Sequence, residues 1–218
     1  MKELFPLLSI ETTSELCSVA VLFDENKYAD LNYRDKHIHS ESLVLFIENL
    51  LNSAKLTLRG IKAIAVSSGP GSFTGIRIGY SAAKGIAFGL DIPVIPVPTF
   101  SAFALEISDF YKDDLDFAIA VKANTTEYYF GEFSKSAGGL KEITSPQLIN
   151  KSDLSIYAGK KLIFSDADEK DTVKNYLPKA YFVGKWAFEY GRSNIKYDFD
   201  FIEPNYIKKF IPKVKNES

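Results

Sequence analysis

"SSGPGSFTGIRIG", residues 67–79, is the stretch on which the reading of this chain turns. It follows an apolar run, "IKAIAVSS" at 61–68, and leads into an alanine- and glycine-rich segment that ends near residue 90. Strand, glycine turn and helix is the layout of a phosphate cradle, in which N–H groups at a helix start face an anion. The spacing does not match either common form. Gly69, Gly71 and Gly75 give G-x-G-x-x-x-G, one residue longer than the dinucleotide fingerprint and with Pro70 inside it. A P-loop needs Lys directly after its last Gly, and here Ile76 and Arg77 follow Gly75. Ser72 and Thr74 leave an anion site at the helix start open as an alternative.

The helix after the turn is unusual on its outer side. Ile76, Tyr80, Ala83, Ala87 and Leu90 share one face and are expected to meet the core. Roughly opposite lie Gly75, Ile78, Ala82, Gly85 and Gly89, small residues at spacings of three and four. Polar residues are confined to a narrow strip, Arg77, Ser81 and Lys84. A glycine inside a helix costs about 1 kcal/mol relative to alanine. Two of them call for a second backbone at close range, either a partner's or another layer of the same domain.

Upstream, "LLSIET" (7–12), "LCSVAVLFDEN" (16–26) and "KYADLNYRD" (27–35) read as a three-strand meander. A dinucleotide-binding unit would place a helix after the first strand instead. A helix is expected over 40–55 with Ser40 as N-cap. Leu43, Phe46, Ile47, Leu50, Leu51 and Ala54 share its inner face, and Glu41, Leu45, Glu48 and Asn52 the outer one. Leu45 is the apolar misfit there. Downstream, a strand at 92–97 and a helix at 99–107 precede a polar, acidic boundary at 108–116.

After that boundary the pattern restarts. "IETTSELCSVAV" and "VKANTTEYYFGE" both set a threonine-rich turn between two strands. The chain is therefore read as two related halves, 1–108 and a smaller 109–218. The second half is expected to hold a turn at Gly138-Gly139, a strand at 160–167, and helices near 168–177 and 185–192.

Composition limits the function classes. The 218 residues carry 26 Lys and Arg against 28 Asp and Glu, a net charge of −2, so nothing global favours a nucleic-acid or membrane surface. Cys17 is the one cysteine, which leaves no disulfide within the chain and no cysteine metal cluster. It reads as a small buried hydrophobe in a reducing compartment. Pro6 breaks the short apolar start, and no stretch reaches the roughly 18 apolar residues of a bilayer span, so a cytoplasmic protein is expected. His37 and His39 lie two residues apart, about 200° around a helix, and cannot share an ion there. No further histidine exists to complete a metal site.

These motifs resemble one family. "GPGSFTGIRIG" with "AAKGIAFGL" is similar to the signature of the TsaB (YeaZ) family, "IETTSELCSVAVL" to its opening strands, "HSESL" (39–43) to the start of its first long helix, and "EPNYIKK" (203–209) to its C-terminal segment. The resemblance spans the chain and is dense to about residue 105. It implies the actin/Hsp70/sugar-kinase fold, an α/β architecture of two lobes, each begun by a ββ meander. It also implies a non-catalytic subunit of the bacterial machinery that adds threonylcarbamoyl to N6 of adenosine 37 in tRNAs reading codons that begin with A. The expected partners are a TsaD-like catalytic subunit, a TsaE-like ATPase, and a second copy of the chain when the catalytic partner is absent; tRNA is met mainly through the complex. ATP and metal are expected in the partner subunits, with no cofactor held by this chain alone. The implied interface comprises His39, Glu41, Leu45, Glu48 and Asn52 on the first helix, and Ser72, Phe73, Thr74, Gly75, Ile78, Ala82, Gly85 and Gly89 on the second. One departure stands out: Lys122, Asn124 and Thr125 occupy the stretch where the family has Asp and Arg-Arg. The alternatives are a small ATP-dependent kinase or ATPase of the same superfamily, and a peptidase, for which no Ser/His/Asp arrangement can be placed.

Overall fold

A computed structural model describes residues 1–35, 39–169, 172–174, 176–199 and 202–207, with the backbone alone for His39. Two five-stranded mixed sheets organise it. The first comprises β1 (Leu7–Glu11), β2 (Leu16–Leu22), β3 (Tyr28–Arg34), β4 (Ala63–Ser67) and β5 (Val94–Val97), in the order β3-β2-β1-β4-β5. The second comprises β6 (Leu115–Lys122), β7 (Glu127–Ser136), β8 (Gly139–Asn150), β9 (Leu162–Ser165) and β10 (Thr172–Val173), in the order β10-β9-β6-β7-β8. Each sheet opens with an antiparallel meander and continues with parallel strands beside the meander's first strand. The two orders are the same pattern repeated, so the restart seen in the sequence is a duplicated topology, that of the actin/Hsp70/sugar-kinase fold.

The inner strands of the first sheet, β1, β2 and β4, are buried on both faces, whereas the edge strand β3 is largely exposed. Along β1 the side chains alternate. Leu8 and Ile10 meet the inner faces of helices α1 (His39–Ser53) and α2 (Phe73–Leu90), which lie side by side. Leu7 faces the opposite side, among residues of α3 (Thr99–Phe110) and α5 (Ala180–Tyr190). Leu43, Ile47, Leu50 and Leu51 anchor α1, and Ile76, Tyr80, Ala83 and Ala87 anchor α2. Each large apolar side chain buried this way contributes roughly 1.5–3 kcal/mol.

Between the lobes, α3 is buried on both sides. Ala102 joins the first lobe's core, while Phe100, Phe103, Ala104 and Ile107 join the second lobe's. Its Glu106 is fully buried and ion-paired with Lys179, and its Oε2 has no hydrogen-bond partner among the described residues.

Three expectations are corrected. Helix α5 and the strap that follows it belong by packing to the first lobe, not to a unit running from 109 to 218. Helix α5 sits on β1 and β2, Lys196 pairs with Val94 of β5, and the Asn205 N–H donates to the Ser68 carbonyl at 2.8 Å. The helix expected near 168–177 is replaced, over its described residues, by an irregular segment and the short strand β10. The expected later helix begins five residues earlier, because the Ser18 hydroxyl accepts the Ala180 N–H at 2.8 Å and caps α5 from a neighbouring strand. Strand β8 is an element the sequence reading missed. It alternates weakly and carries Pro146, as suits an edge strand. The second lobe is reduced: α4 (Leu154–Ala158), the counterpart of α1, has 5 residues against 15.

Candidate functional site

The glycine turn holds the chain's own backbone. The β1–β2 turn, Thr12 and Thr13, presses against the start of α2, and both threonines are buried. The Ser72 N–H donates to the Thr13 carbonyl at 2.7 Å, and the Thr12 hydroxyl donates to the Gly75 carbonyl at 2.8 Å. The Ser72 hydroxyl caps the helix by accepting the Gly75 N–H at 3.2 Å. A Cβ on Gly71 would fall 2.6 Å from the Thr13 carbonyl oxygen, one on Gly75 1.9 Å from that of Thr12, and one on Gly79 2.5 Å from the Thr12 hydroxyl. The glycines are thus explained by close packing of a neighbouring turn. Of the N–H groups around the helix start, those of Ser72 and Gly75 are already taken by the chain itself.

Beneath that turn lies Glu11, fully buried. One carboxyl oxygen accepts the Thr13 N–H at 2.5 Å and the other the Ser67 hydroxyl. Burial pushes its pKa up to about 7, against the opposing pull of those two donors, and Glu106 raises it further. Glu11 is therefore a part of the turn's foundation that titrates near neutrality.

A cleft of about 780 Å³ opens between the lobes, lined among others by Thr13, Ser72, Thr74, Lys122, Asp166 and Tyr206. The Lys122 N–H donates to Asp166 at 2.9 Å, and burial raises the Asp166 carboxyl. Asn124 organises the β6–β7 turn, its Oδ1 accepting the N–H groups of Thr126 and Glu127. At the cleft mouth the Arg77 guanidinium lies 3.9 Å from the Phe73 ring centroid and donates to the Tyr206 hydroxyl at 3.2 Å.

The outer faces of α1 and α2 are different in kind. Glu41, Leu45, Glu48 and Asn52 all point outward on α1, and Leu45 is 52% exposed. Gly85 and Gly89 are exposed on α2, with nothing among the described residues within 4 Å of where a Cβ would stand. Thr74 is exposed, and Phe73 is half-buried under Arg77 and Tyr206. Gly75, expected on this outer seam, lies buried beneath Thr12 instead. Ile78 and Ala82 are half-buried against the first core, so the seam is narrower than its helical positions implied. The His39 side chain and all of His37 lie outside the described residues. Two exposed residues escaped the sequence reading: Val44, 70% exposed, and Phe88, 78% exposed. Phe88 lies three residues beyond Gly85, off the core-facing stripe. An aromatic there was the available signal.

Among the described residues no three His, Cys, Asp or Glu side chains gather as a metal site, and no helix is long and apolar enough to cross a membrane.

Comparisons with known proteins place this geometry. The family described as "TsaD: tRNA N6-adenosine threonylcarbamoyltransferase" matches residues 35–204. The "tRNA threonylcarbamoyladenosine biosynthesis protein TsaB" of Haemophilus influenzae is 35% identical over 126 residues, 58% of this chain and 52% of that protein. The Escherichia coli protein of the same name is 29% identical over 154 residues, 66% and 64% of the two chains. The matched stretch thus spans about half to two thirds of these relatives. Among solved structures, YeaZ from Pseudomonas aeruginosa superposes with a TM-score of 0.75 at 24% identity, covering 92% of this chain and 98% of that one, and so has the same fold.

Proposed function

This chain belongs to the tRNA N6-adenosine threonylcarbamoyltransferase (TsaD) family, within it to the TsaB (YeaZ) proteins, and from that membership we propose that it is a non-catalytic, scaffolding subunit in the biosynthesis of threonylcarbamoyladenosine in tRNA. It binds a TsaD-type catalytic subunit through the outer faces of α1 and α2, and pairs with a second copy through the same surface when that subunit is absent. A TsaE-type ATPase completes the assembly. ATP and metal are held by the partners, tRNA is met through the complex, and the chain works in the cytoplasm.

The observation that carries the reading is the exposure of Val44, Leu45 and Phe88 beside the open Gly85 and Gly89 on two helices whose inner faces are firmly anchored. Exposed apolar side chains on neighbouring helices, together with glycines that admit a backbone, are the chemistry of helix packing between chains. The test is co-purification with the TsaD-type subunit from the same organism, followed by a tRNA modification assay omitting each component in turn. Modification should require every component. Turnover by this chain alone overturns the non-catalytic role.

The size of the interlobe cleft favours a second reading, an ATP-dependent kinase or ATPase. The filled glycine turn speaks against it. Calorimetric titration with ATP decides: micromolar binding by the isolated chain, lost in Ser72→Ala, would establish it.

A further inference from the structure

The C-terminal end of α2 carries two local costs. Asp91 closes the helix with φ 54° and ψ 47°, a left-handed conformation in which glycine or asparagine is the usual occupant. Its carboxylate also stands at the negative end of the helix dipole, and the last turn of α2 holds no basic side chain. Arrangements unfavourable in themselves concentrate where a surface is used. Beside Asp91, Phe88 is 78% exposed, and the C-terminal strap lays Tyr197, Asp198 and Phe199 alongside it. The Phe88 and Phe199 rings meet edge to face at 6.4 Å. Phe88, Asp91, Tyr197, Asp198 and Phe199 together line one open notch.

Aromatic rings, carboxylates and the carbonyl end of a helix all attract positive charge. A planar guanidinium fits best, because it stacks on rings while pairing with a carboxylate. The notch is continuous with the exposed outer face of α2, since Phe88 neighbours Gly89 and lies one turn from Gly85. We propose that it receives an arginine side chain of the TsaD-type subunit, fixing the end of the α1–α2 contact. This rests on the docking surface proposed above and adds to it the chemistry of the partner residue.

The informative variant is Asp91→Asn, which removes the charge and keeps a side chain suited to the left-handed position. It should melt at the same or a higher temperature, yet bind the purified TsaD-type subunit about five- to tenfold more weakly, with a shallower dependence on salt. Phe88→Ala should weaken binding by about tenfold or more. A structural role alone would move stability and binding in the same direction. Unchanged affinity or an unchanged salt dependence in Asp91→Asn overturns the proposal. So does a loss confined to self-association in light scattering, which would make a second copy the occupant. Leu45→Glu separates the two ideas. If it leaves the subunits associated, the docking surface itself is wrong. If it parts them and Asp91→Asn does not, only the notch is wrong.

Discussion

Gly75 and Gly85 stand ten residues apart on one helix and look interchangeable in the sequence. In the structure they have opposite surroundings. A Cβ on Gly75 would meet the Thr12 carbonyl oxygen at 1.9 Å, while one on Gly85 would meet none of the described residues within 4 Å. The N-terminal half of α2 uses its glycines at 75 and 79 to seat a turn of its own lobe. The C-terminal half carries glycines at 85 and 89 that no contact among the described residues requires. The contrast separates a glycine that the fold itself requires from one that no described residue approaches.

The comparison breaks most directly at Gly75. Gly75→Ala should destabilise the fold by about 4 kcal/mol, because the obstacle is backbone and cannot rotate away. A denaturant titration that finds less than about 1 kcal/mol would show that the turn yields.

Glu11 tests the same turn from beneath. Its carboxyl titrates at about 4.5 when exposed and about 7 when folded, so the folded state holds its proton more tightly. The stability this contributes is complete below pH 4.5 and is lost as the pH rises from there through 7, the loss reaching about 3 kcal/mol on the alkaline side. Glu11→Gln keeps an acceptor for the Thr13 N–H and offers Ser67 a donor. Its stability profile from acid to alkaline pH should be flatter by about that amount, and an unchanged profile would assign the titration elsewhere.

On the outer side the expected effect falls on association. Leu45→Glu should leave the melting temperature within about a degree or two and weaken binding to the TsaD-type subunit by roughly 30- to 100-fold. Sedimentation or titration of the pair measures it, and full-strength binding would place the interface on another face. Leu45 is a cleaner probe than Ala82, which packs partly on the core.

The smallest effect has the opposite sign. Gly85→Ala and Gly89→Ala should each stabilise the isolated chain by about 0.5–1 kcal/mol, since helix propensity is gained and no atom is displaced. Destabilisation, read from thermal melts, would mean that these glycines have a neighbour within the chain and would erase the contrast with Gly75.

Periodicity placed nearly every element of the first lobe within a few residues, since β1, β2, β4, α1 and α2 each carry an apolar pattern suited to a buried face. It was weaker in the second lobe. The long edge strand β8 packs only partly, so its alternation is faint, and β10 has two residues, too few to show a period. The start of α5 depends on Ser18, 162 positions away in sequence, which no local pattern records. At the candidate surface, Leu45, Gly85 and Gly89 were legible because exposure contradicts their type or their cost. Gly75 was misassigned because helical angle alone cannot say which side a turn from another strand will cover.

What the sequence determined by itself is the local and repeated part: a meander, a helix with one apolar stripe, the second meander that announces a duplicated fold, and a glycine turn whose spacing matches neither common phosphate loop. Only the tertiary structure decided what each glycine faces, that Glu11 lies sealed beneath Thr12 and Thr13, and that the C-terminal strap returns to the first lobe to frame the end of α2. The physical reason is range. Strand and helix patterns follow from neighbours within a few residues, whereas close approach, burial and desolvation depend on groups that chain connectivity places 60 to 130 residues away, as with Thr12 and Gly75 or Arg77 and Tyr206.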